Sequence, residues 1–305
     1  MVKSPGLCYF SGVSRIDLLT IGEAFEDLIF TGLPRLPRPG EEIKTSNFVH
    51  TVGGGAIITA VAAARLGLRC RVVSGLSLSA LALLRAQKIS VTNLRRPNEP
   101  YAITAALSTK TNRSFVTFNG VNDVLEERLF EPLQAAAARH VHFAFYPHDC
   151  GRWEAVLAQL RAQGVTTSWD FGWNEALLKD RGFASLTAAL DYVFLNEQEC
   201  RLYARRPSRP AAVAYWKKHS RRVVIKLGSK GSAWISASQD LRVPAPRVRV
   251  MDTTGAGDAF NGGFLYAVLN QLPPRTCLRM GNWVGAMSTR ATGGIDALPR
   301  QDELA

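Results

Sequence analysis

One loop of the 305-residue chain combines the residue types that transfer of a phosphoryl group requires. The loop has the sequence DTTGAGD at positions 252–258 and is followed by helix-forming residues. Gly255 and Gly257 can adopt backbone conformations that are closed to other residues, so successive N–H groups can converge on one anion. A helix that begins near Asp258 adds the partial positive charge of its amino-terminal end. The loop is therefore predicted to hold a phosphoryl group.

Asp258 is a carboxylate inside this anion-binding loop, where it would repel phosphate unless it had a separate task. The most economical task is to accept the proton of an attacking hydroxyl while the loop N–H groups hold the transferring phosphoryl group. The alternative is a favourable acidic residue in the first turn of a helix. A helix terminus rarely needs such a glycine loop, so Asp258 is predicted to be the catalytic base.

Apolar strands and helical patterns alternate along most of the chain, which predicts a mostly parallel sheet with helices on both faces. The predicted strands are 15–22, 69–75, 141–146, 165–170, 192–195, 222–227 and a β-prone stretch at 241–250. The predicted helices are 56–66, 125–139, 153–163, a helix from Asn196, and 259–269. Ligands of open parallel sheets bind outside the carboxyl ends of the strands. Asp170 ends one such strand, where it could face a binding cleft or belong to a turn.

Two segments interrupt the alternation of strands and helices. Residues 28–50 carry several glycines and prolines followed by a short polar strand, whereas residues 98–120 alternate like an antiparallel hairpin. The hairpin is predicted to have strands at 101–108 and 114–118 and a turn at 110–112. We predict that both segments form a small β lid on one domain of residues 1–305, and the alternative is ordinary surface loops.

Composition excludes several classes of protein. The net charge of +12 favours anionic partners, but the basic clusters lack the interleaved aromatic residues typical of nucleic-acid binding. The five cysteines are far apart in the sequence and form no C-x-x-C pair, which predicts a reducing, cytoplasmic location without disulfide bonds or zinc. Arg or Gly interrupts each apolar stretch, so no membrane span is predicted. Residues 1–16 are interpreted as a loose leader that lacks the apolar core of a secretory signal.

Standard nucleotide-binding fingerprints are absent from the sequence. Neither the Walker A pattern nor G-x-G-x-x-G occurs. The loop at 252–258 instead closely resembles the carboxyl-terminal signature of the PfkB (ribokinase-like) carbohydrate kinases. Four further segments resemble other motifs of that family: 21–27, 53–67, 196–199 and 226–231.

The resemblance implies a ribokinase-like three-layer αβα fold with a central, mostly parallel sheet and a small β lid. It also implies an enzyme that transfers the γ-phosphoryl group of ATP to a hydroxyl of a sugar or sugar derivative, with Mg²⁺. Homodimers that form through the lid are a further expectation of this resemblance.

The resemblance implies a role for each residue that matches a motif of the family. The catalytic residues would be Asp258 as base and Gly255, Ala256 and Gly257 as the anion hole. The substrate would be bound by Asp27, Gly53 and Gly54. ATP would be bordered by Gly228, Gly231, Thr253 and Asn282. Metal ions would be held by Asn196 and Glu199 (Mg²⁺, through water) and by Asp252 and Thr254 (a monovalent cation such as K⁺).

Some of these residues have a second interpretation that the sequence leaves open. Asp27 could be a solvated acid at a strand end. The spacing of Asn196 and Glu199 equally fits a capping box at a helix start.

The substrate side departs from the family pattern. Ile58 stands where many sugar kinases carry Asn, and an apolar side chain cannot form hydrogen bonds with a sugar hydroxyl. Gly55 stands where some members carry Lys, and the stretch 75–81 replaces one expected to carry glycine and aspartate. A sugar remains favoured. The alternatives are a nucleoside, which an apolar environment would suit, and a non-catalytic nucleotide- or metabolite-binding protein.

Overall fold

The computed structural model describes residues 16–109, 113–134 and 137–304. The strands in this part of the chain are β1 (Ile16–Gly22), β2 (Phe25–Leu33), β3 (Asn47–Gly53), β4 (Cys70–Ser74), β5 (Ser90–Asn93), β6 (Ile103–Thr109), β7 (Arg113–Phe118), β8 (Ala138–Ala144), β9 (Thr166–Asp170), β10 (Tyr192–Asn196), β11 (Val223–Lys226), β12 (Ser232–Ile235) and β13 (Asp240–Val243). The α-helices are α1 (Gly55–Arg65), α2 (Leu78–Ala86), α3 (Phe130–Gln134), α4 (Cys150–Ala162), α5 (Phe183–Ala189), α6 (Glu197–Ala204), α7 (Arg209–His219), α8 (Ala256–Leu269) and α9 (Pro274–Ser288).

Nine of these strands form the main sheet in the order β13-β12-β11-β10-β9-β8-β1-β4-β5. The strands from β11 to β5 pair in parallel, while β12 and β13 add an antiparallel edge. The central strands are almost wholly buried because helices cover both faces of the sheet. Helices α1, α2, α8 and α9 bury one face, and α4, α5, α6 and α7 bury the other. The predicted three-layer αβα fold with a mostly parallel central sheet is confirmed.

A second, four-stranded sheet has the order β3-β2-β6-β7. It is formed by the two segments that interrupt the alternation, although its strands extend to Phe25 and Gly53 beyond the predicted bounds. Strands β6 and β7 pair as an antiparallel hairpin. The predicted turn at 110–112 lies outside the described residues.

The register of the second sheet defines its two faces, because side chains alternate along each strand. Asp27 pairs with Thr51 and Thr104, and Thr104 pairs with Thr117. The inner face therefore carries Asp27, Ile29, Thr51, Thr104, Arg113, Phe115 and Thr117. The outer face carries Leu28, Phe30, Phe48, Leu107, Val116 and Phe118.

Two expected elements are wrong in their extent. The segment 125–139 is not one helix: short 3-10 turns precede α3, and Ala138 already belongs to β8. Pro132 has no N–H to donate to the carbonyl four residues earlier, so it is tolerated only in the first turn of a helix, and α3 begins at Phe130. The strand predicted at 241–250 ends at Val243, because prolines follow at positions 244 and 246.

No helix within residues 16–109, 113–134 or 137–304 is both long and apolar enough to cross a bilayer.

Candidate active site

Three parallel strands end side by side in polar residues. Asp170, Asn196 and Lys226 are the last residues of β9, β10 and β11, and Asn196 pairs with Lys226 in the sheet. Lys226 Nζ donates to Asp170 Oδ2 at 2.5 Å, and both side chains are largely buried. Asn261 on α8 donates to the same oxygen at 2.7 Å. The carboxyl edge of the sheet therefore holds a buried ion pair, and Asp170, whose position the sequence left open, lies between this edge and α8.

The glycine loop packs too tightly for any side chain at position 255. Gly255 precedes α8 with φ of 68°, in the left-handed region that favours glycine. A Cβ atom there would lie 2.5 Å from Ile58 Cδ1 and 3.1 Å from Gly294 Cα. Helix α8 begins at Ala256, two residues before the expected start. Its first N–H groups, at the positions predicted for the anion hole, have no partner inside the helix.

Lys226 lies against this end of α8. A Cβ atom at Gly257 would be 3.1 Å from Lys226 Nζ, so the ammonium group approaches the backbone at the second helical position. Burial lowers the pKa of Lys226, but the carboxylates of Asp170, Glu199 and Asp258 outweigh burial and raise it. A fixed positive charge thus accompanies the predicted anion hole.

Asp258 occupies the first turn of α8, next to the start of α1. A Cβ atom at Gly55 would lie 3.2 Å from Asp258 Oδ1, and Thr59 Oγ1 donates to the Asp258 carbonyl at 3.1 Å. Burial, followed by the negative charge of Asp170, raises the pKa of Asp258 to about 7. A carboxylate with this pKa is suited to exchange protons near neutral pH.

Asp27 lies on the other side of the same glycine turn. A Cβ atom at Gly53 would lie 1.9 Å from Asp27 Oδ2, so a side chain at that position would displace the Asp27 carboxylate. Gly54 has φ of 100° and abuts the Glu23 carbonyl. Burial, together with the nearby acids Glu26 and Asp252, raises the pKa of Asp27 to about 7.

Asn196 and Glu199 form a complete capping box at the start of α6. The Asn196 side chain accepts the Glu199 N–H at 2.8 Å, and Glu199 accepts the Asn196 N–H at 2.7 Å and its side-chain amide at 2.6 Å. Burial and the charge of Asp170 raise the pKa of Glu199 to about 7. The capping interpretation is realised, and the Mg²⁺ role stays a prediction. In the part of the chain that the structure covers, no cluster of three or more His, Cys, Asp or Glu side chains could hold a metal ion.

The four residues expected to border ATP divide into two pairs. Gly228 and Thr253 are exposed at the carboxyl edge of the sheet and the start of the glycine loop. Asn282 is buried and its amide donates to the carbonyls of Val243 and Pro244 at 3.0 and 3.3 Å. A Cβ atom at Gly231 would clash with the Val243 carbonyl at 2.0 Å. Gly231 and Asn282 therefore fix the end of β13.

Asp252 and Thr254 have an arginine as partner. Asp252 Oδ1 accepts the Thr254 N–H and hydroxyl, each at 2.8 Å, and Oδ2 accepts the Gly293 N–H at 2.9 Å. Arg113 from β7 lies 2.6 Å from Asp252 Oδ1 and donates to Thr254 Oγ1. The expected monovalent-cation position thus contains a guanidinium group.

Ile58 does not line an open pocket. It is 2% exposed, and its Cδ1 atom packs against Gly255 and Gly294. The apolar residue at this position supports the glycine loop from below, which removes one reason for expecting a nucleobase beside it.

Reasoning from the sequence assigned no role to Lys226, Asn261 or Arg113. A charged residue that ends an apolar strand was an available signal for Lys226. Asn261 stands one helical turn after Gly257, so its direction could follow from helix periodicity. Arg113 contacts a residue 139 positions later, and no local pattern indicates such a contact.

Comparison with known proteins identifies relatives over almost the whole chain. The model of the pfkB family carbohydrate kinases matches residues 15–301. An uncharacterized sugar kinase, YegV, of Escherichia coli (strain K12) is 27% identical over 305 residues, covering 95% of this chain and 94% of its own.

Solved structures show the same fold. Arabidopsis thaliana ribokinase complexed with ribose and ATP has a TM-score of 0.76 at 22% identity, covering 95% of this chain and 97% of its own. Adenosine kinase from Sinorhizobium meliloti has a TM-score of 0.79 at 20% identity, covering 95% and 98%. The resemblance inferred from the glycine loop is confirmed: the chain belongs to the pfkB family of carbohydrate kinases, phosphotransferases with an alcohol group as acceptor.

Proposed function

We propose that this protein transfers the γ-phosphoryl group of ATP to a hydroxyl of a sugar or sugar derivative, with Asp258 as the base. The observation that carries the proposal is the glycine turn at 53–55. A Cβ atom at its first residue would lie 1.9 Å from Asp27 Oδ2, and one at its third residue would lie 3.2 Å from Asp258 Oδ1. A substrate hydroxyl bound by Asp27 would therefore lie close to the base and to the amino end of α8.

The proposed proton transfer follows from the charges around Asp258. The ionised carboxylate accepts the proton of the attacking hydroxyl. The hydroxyl oxygen forms a bond to the γ-phosphorus while the bond from that phosphorus to the bridging oxygen of ADP breaks, and ADP leaves. N–H groups of Gly255, Ala256 and Gly257 donate to the transferring oxygens, and Lys226 adds a positive charge beside them. Asp170 is the counter-charge of Lys226 and holds it in place, and Asn261 in turn holds Asp170.

Magnesium fits the excess of negative charge at the carboxyl edge of the sheet. The negative charges of Asp170, Glu199 and Asp258 all act on the one ammonium group of Lys226. Burial, followed by the negative charge of Asp170, raises the pKa of Glu199. Because the Glu199 oxygens are engaged by Asn196, Asn196 and Glu199 would act on Mg²⁺ through water, while the phosphates of ATP supply direct ligands. The ion would neutralise the phosphate oxygens during transfer.

A nucleoside substrate is the second candidate. Phe115 lies on the inner face of the second sheet, the face that carries Asp27, and it is 55% exposed. An exposed aromatic ring on the same face as a carboxylate proposed to bind hydroxyls suits stacking on a nucleobase. This observation favours a nucleoside more directly than Ile58 does.

A second copy of the chain is the proposed partner of the outer face. Phe48, Val116 and Phe118 are 51–67% exposed on that face, an apolar surface that a lid-to-lid homodimer would bury. The protein is proposed to act in the reducing cytoplasm, in keeping with the buried free thiols of Cys70, Cys150, Cys200 and Cys277.

The test is a screen for ATP consumption with panels of sugars and nucleosides, with ³¹P NMR of the products. We expect turnover with members of the sugar panel and none with the Asp258→Asn variant. Turnover confined to nucleosides would establish the second candidate. ATP binding without turnover on either panel would favour the non-catalytic alternative.

A further inference from the structure

Arg113 connects the second sheet to the loop that precedes α8. It begins β7 and pairs with Ser108, which places it on the inner face with Asp27. Its guanidinium group contacts both Asp252 and Thr254. These are the two residues at which the family resemblance implies a monovalent cation.

The charges at this position are already balanced. Asp252 is 5% exposed, and a buried carboxylate requires a positive partner. The Arg113 guanidinium group supplies that charge, with Nη2 at 2.6 Å from Asp252 Oδ1. Asp252 Oδ1 accepts two further hydrogen bonds from Thr254, and Oδ2 accepts one from Gly293. A metal ion would meet electrostatic repulsion and oxygens that donors already occupy, so the residues present do not fit the ion.

The same contacts fix the shape of the glycine loop. Thr254 directly precedes Gly255, and Asp252 holds its N–H and hydroxyl. Asp252 also holds Gly293, where a Cβ atom would lie 3.1 Å from Thr51 on the inner face of the second sheet. A change at Arg113 would therefore reach the N–H groups at the start of α8 through Asp252 and Thr254.

We propose that Arg113 takes the place of a monovalent cation in this protein. Its guanidinium group neutralises Asp252 and holds the loop that leads into α8, so the enzyme works without K⁺ or Na⁺. Arg113 is a positioning residue, because it acts on the anion hole through Asp252 and Thr254. The effect on turnover rests on the proposed function, whereas the binding of cations does not.

The first experiment uses the wild-type protein and needs no substrate. Melting temperatures are measured in KCl, NaCl and tetramethylammonium chloride at equal ionic strength, with and without ATP. We expect equal melting temperatures in the three salts, because the position is filled from within the chain. Stabilisation specific to K⁺ or Na⁺ would overturn the proposal, whatever the result of any kinase assay.

The second experiment removes the guanidinium group that contacts Asp252 and Thr254. Arg113→Met keeps much of the side chain length and removes the charge, so turnover should fall by about 10–100-fold as the anion hole loses its support. K⁺ or added guanidinium should restore part of this loss and raise the melting temperature of the variant, whereas neither affects the wild type. Full turnover of Arg113→Met without any cation response would overturn the proposal.

Two further variants serve as controls. Arg35→Met removes another arginine–carboxylate pair, the exposed one with Glu41, and should change neither turnover nor cation response. Arg113→Lys retains the charge without the fork of donors, so it should stay independent of K⁺. If Arg113→Met fails to fold, a K⁺-independent Arg113→Lys supports the proposal, and a K⁺-activated wild type refutes it.

Discussion

The amino end of α8 and the inner face of the second sheet supply carboxylates to the same glycine turn, but their construction differs. The charged groups that act on Asp258 include Lys226 and Asp170. These two residues end buried strands and are paired with each other, so they are held in place. Asp27 lies on a smaller sheet among threonines and the exposed Phe115. The main sheet thus holds the charged groups proposed for phosphoryl transfer. The surface proposed to meet the substrate belongs to a separate sheet, which is coupled to those groups through Arg113 and through the charge of Asp27.

The two carboxylates also differ in their neighbours, although burial raises the pKa of each to about 7. Lys226 opposes the rise at Asp258, so this group has a cation beside it when it ionises. The charged neighbours that act on Asp27 are the acids Glu26 and Asp252, which favour its protonated form. Near neutral pH Asp27 can both donate to and accept from a hydroxyl, which suits binding. Ionised Asp258 has the positive charge of Lys226 beside it, which suits a base.

The largest effect on turnover is expected when Asp258 is replaced, and it distinguishes this carboxylate from Asp27. Asp258→Asn removes the proton acceptor and should reduce turnover by about 10²–10⁴-fold. ATP affinity should hold or improve, because one negative charge near the phosphates disappears. Turnover and ATP affinity are measured on the purified variant. Asp302→Asn, an exposed acid in the first turn of the 3-10 helix Gln301–Glu303, is the matched control and should be active.

The pH dependence sharpens this expectation. The base acts when ionised, so wild-type turnover should fall about tenfold per pH unit below pH 7 and level off above it. Folded Asp258 binds more protons than unfolded Asp258 between the usual carboxyl range and pH 7, so its ionisation lowers stability as pH rises through that window. At pH 8 Asp258→Asn should therefore melt no lower than the wild type. Normal turnover with a lowered melting temperature would instead identify Asp258 as a helix cap.

The next largest effect on turnover is expected where Lys226 approaches the start of α8. Gly257→Val places methyl groups where a Cβ atom already lies 3.1 Å from Lys226 Nζ, so turnover should fall by about 100-fold or more. Gly151→Val is the matched control, since Gly151 is also the second residue of an α-helix and is exposed. Circular dichroism establishes that both variants are folded. Wild-type turnover of a folded Gly257→Val would exclude the proposed anion hole.

A smaller effect tests the link between the capping box and magnesium. Glu199→Gln keeps the side-chain shape that completes a capping box but removes the charge. The Mg²⁺ concentration for half-maximal rate should rise by about tenfold, the usual cost of losing a residue that orients metal-bound water. Glu197→Gln, in the same first turn, should leave it unchanged. A lowered melting temperature with an unchanged Mg²⁺ requirement would show that Glu199 only caps α6.

The same comparison explains what the sequence could predict. The glycine loop and the strand–helix alternation are local patterns, so the layers of the fold and the position of Asp258 followed from them. Lys226 and Asn261 meet only because β11 and α8 pack together, and Arg113 meets Asp252 across 139 positions. Ile58 was misjudged for the same reason: its type was visible in the sequence, but its burial under Gly255 depends on how α1 packs against α8.

The smallest effect is expected at Ile58. It decides whether this residue supports the glycine loop or lines the substrate pocket. Ile58→Val removes the Cδ1 atom that packs against Gly255 and Gly294, at a cost of about 0.5–1.5 kcal/mol of folding free energy. Ile57→Val, equally buried in α1, should cost a similar amount and leave turnover unchanged. Ile58→Val should in addition lower turnover a few-fold on every substrate alike, because it loosens the glycine loop. Relative rates on the sugar and nucleoside panels provide the measurement. A changed order of substrates at unchanged stability would place Ile58 in the substrate pocket, so the two regions would then share a residue that determines specificity.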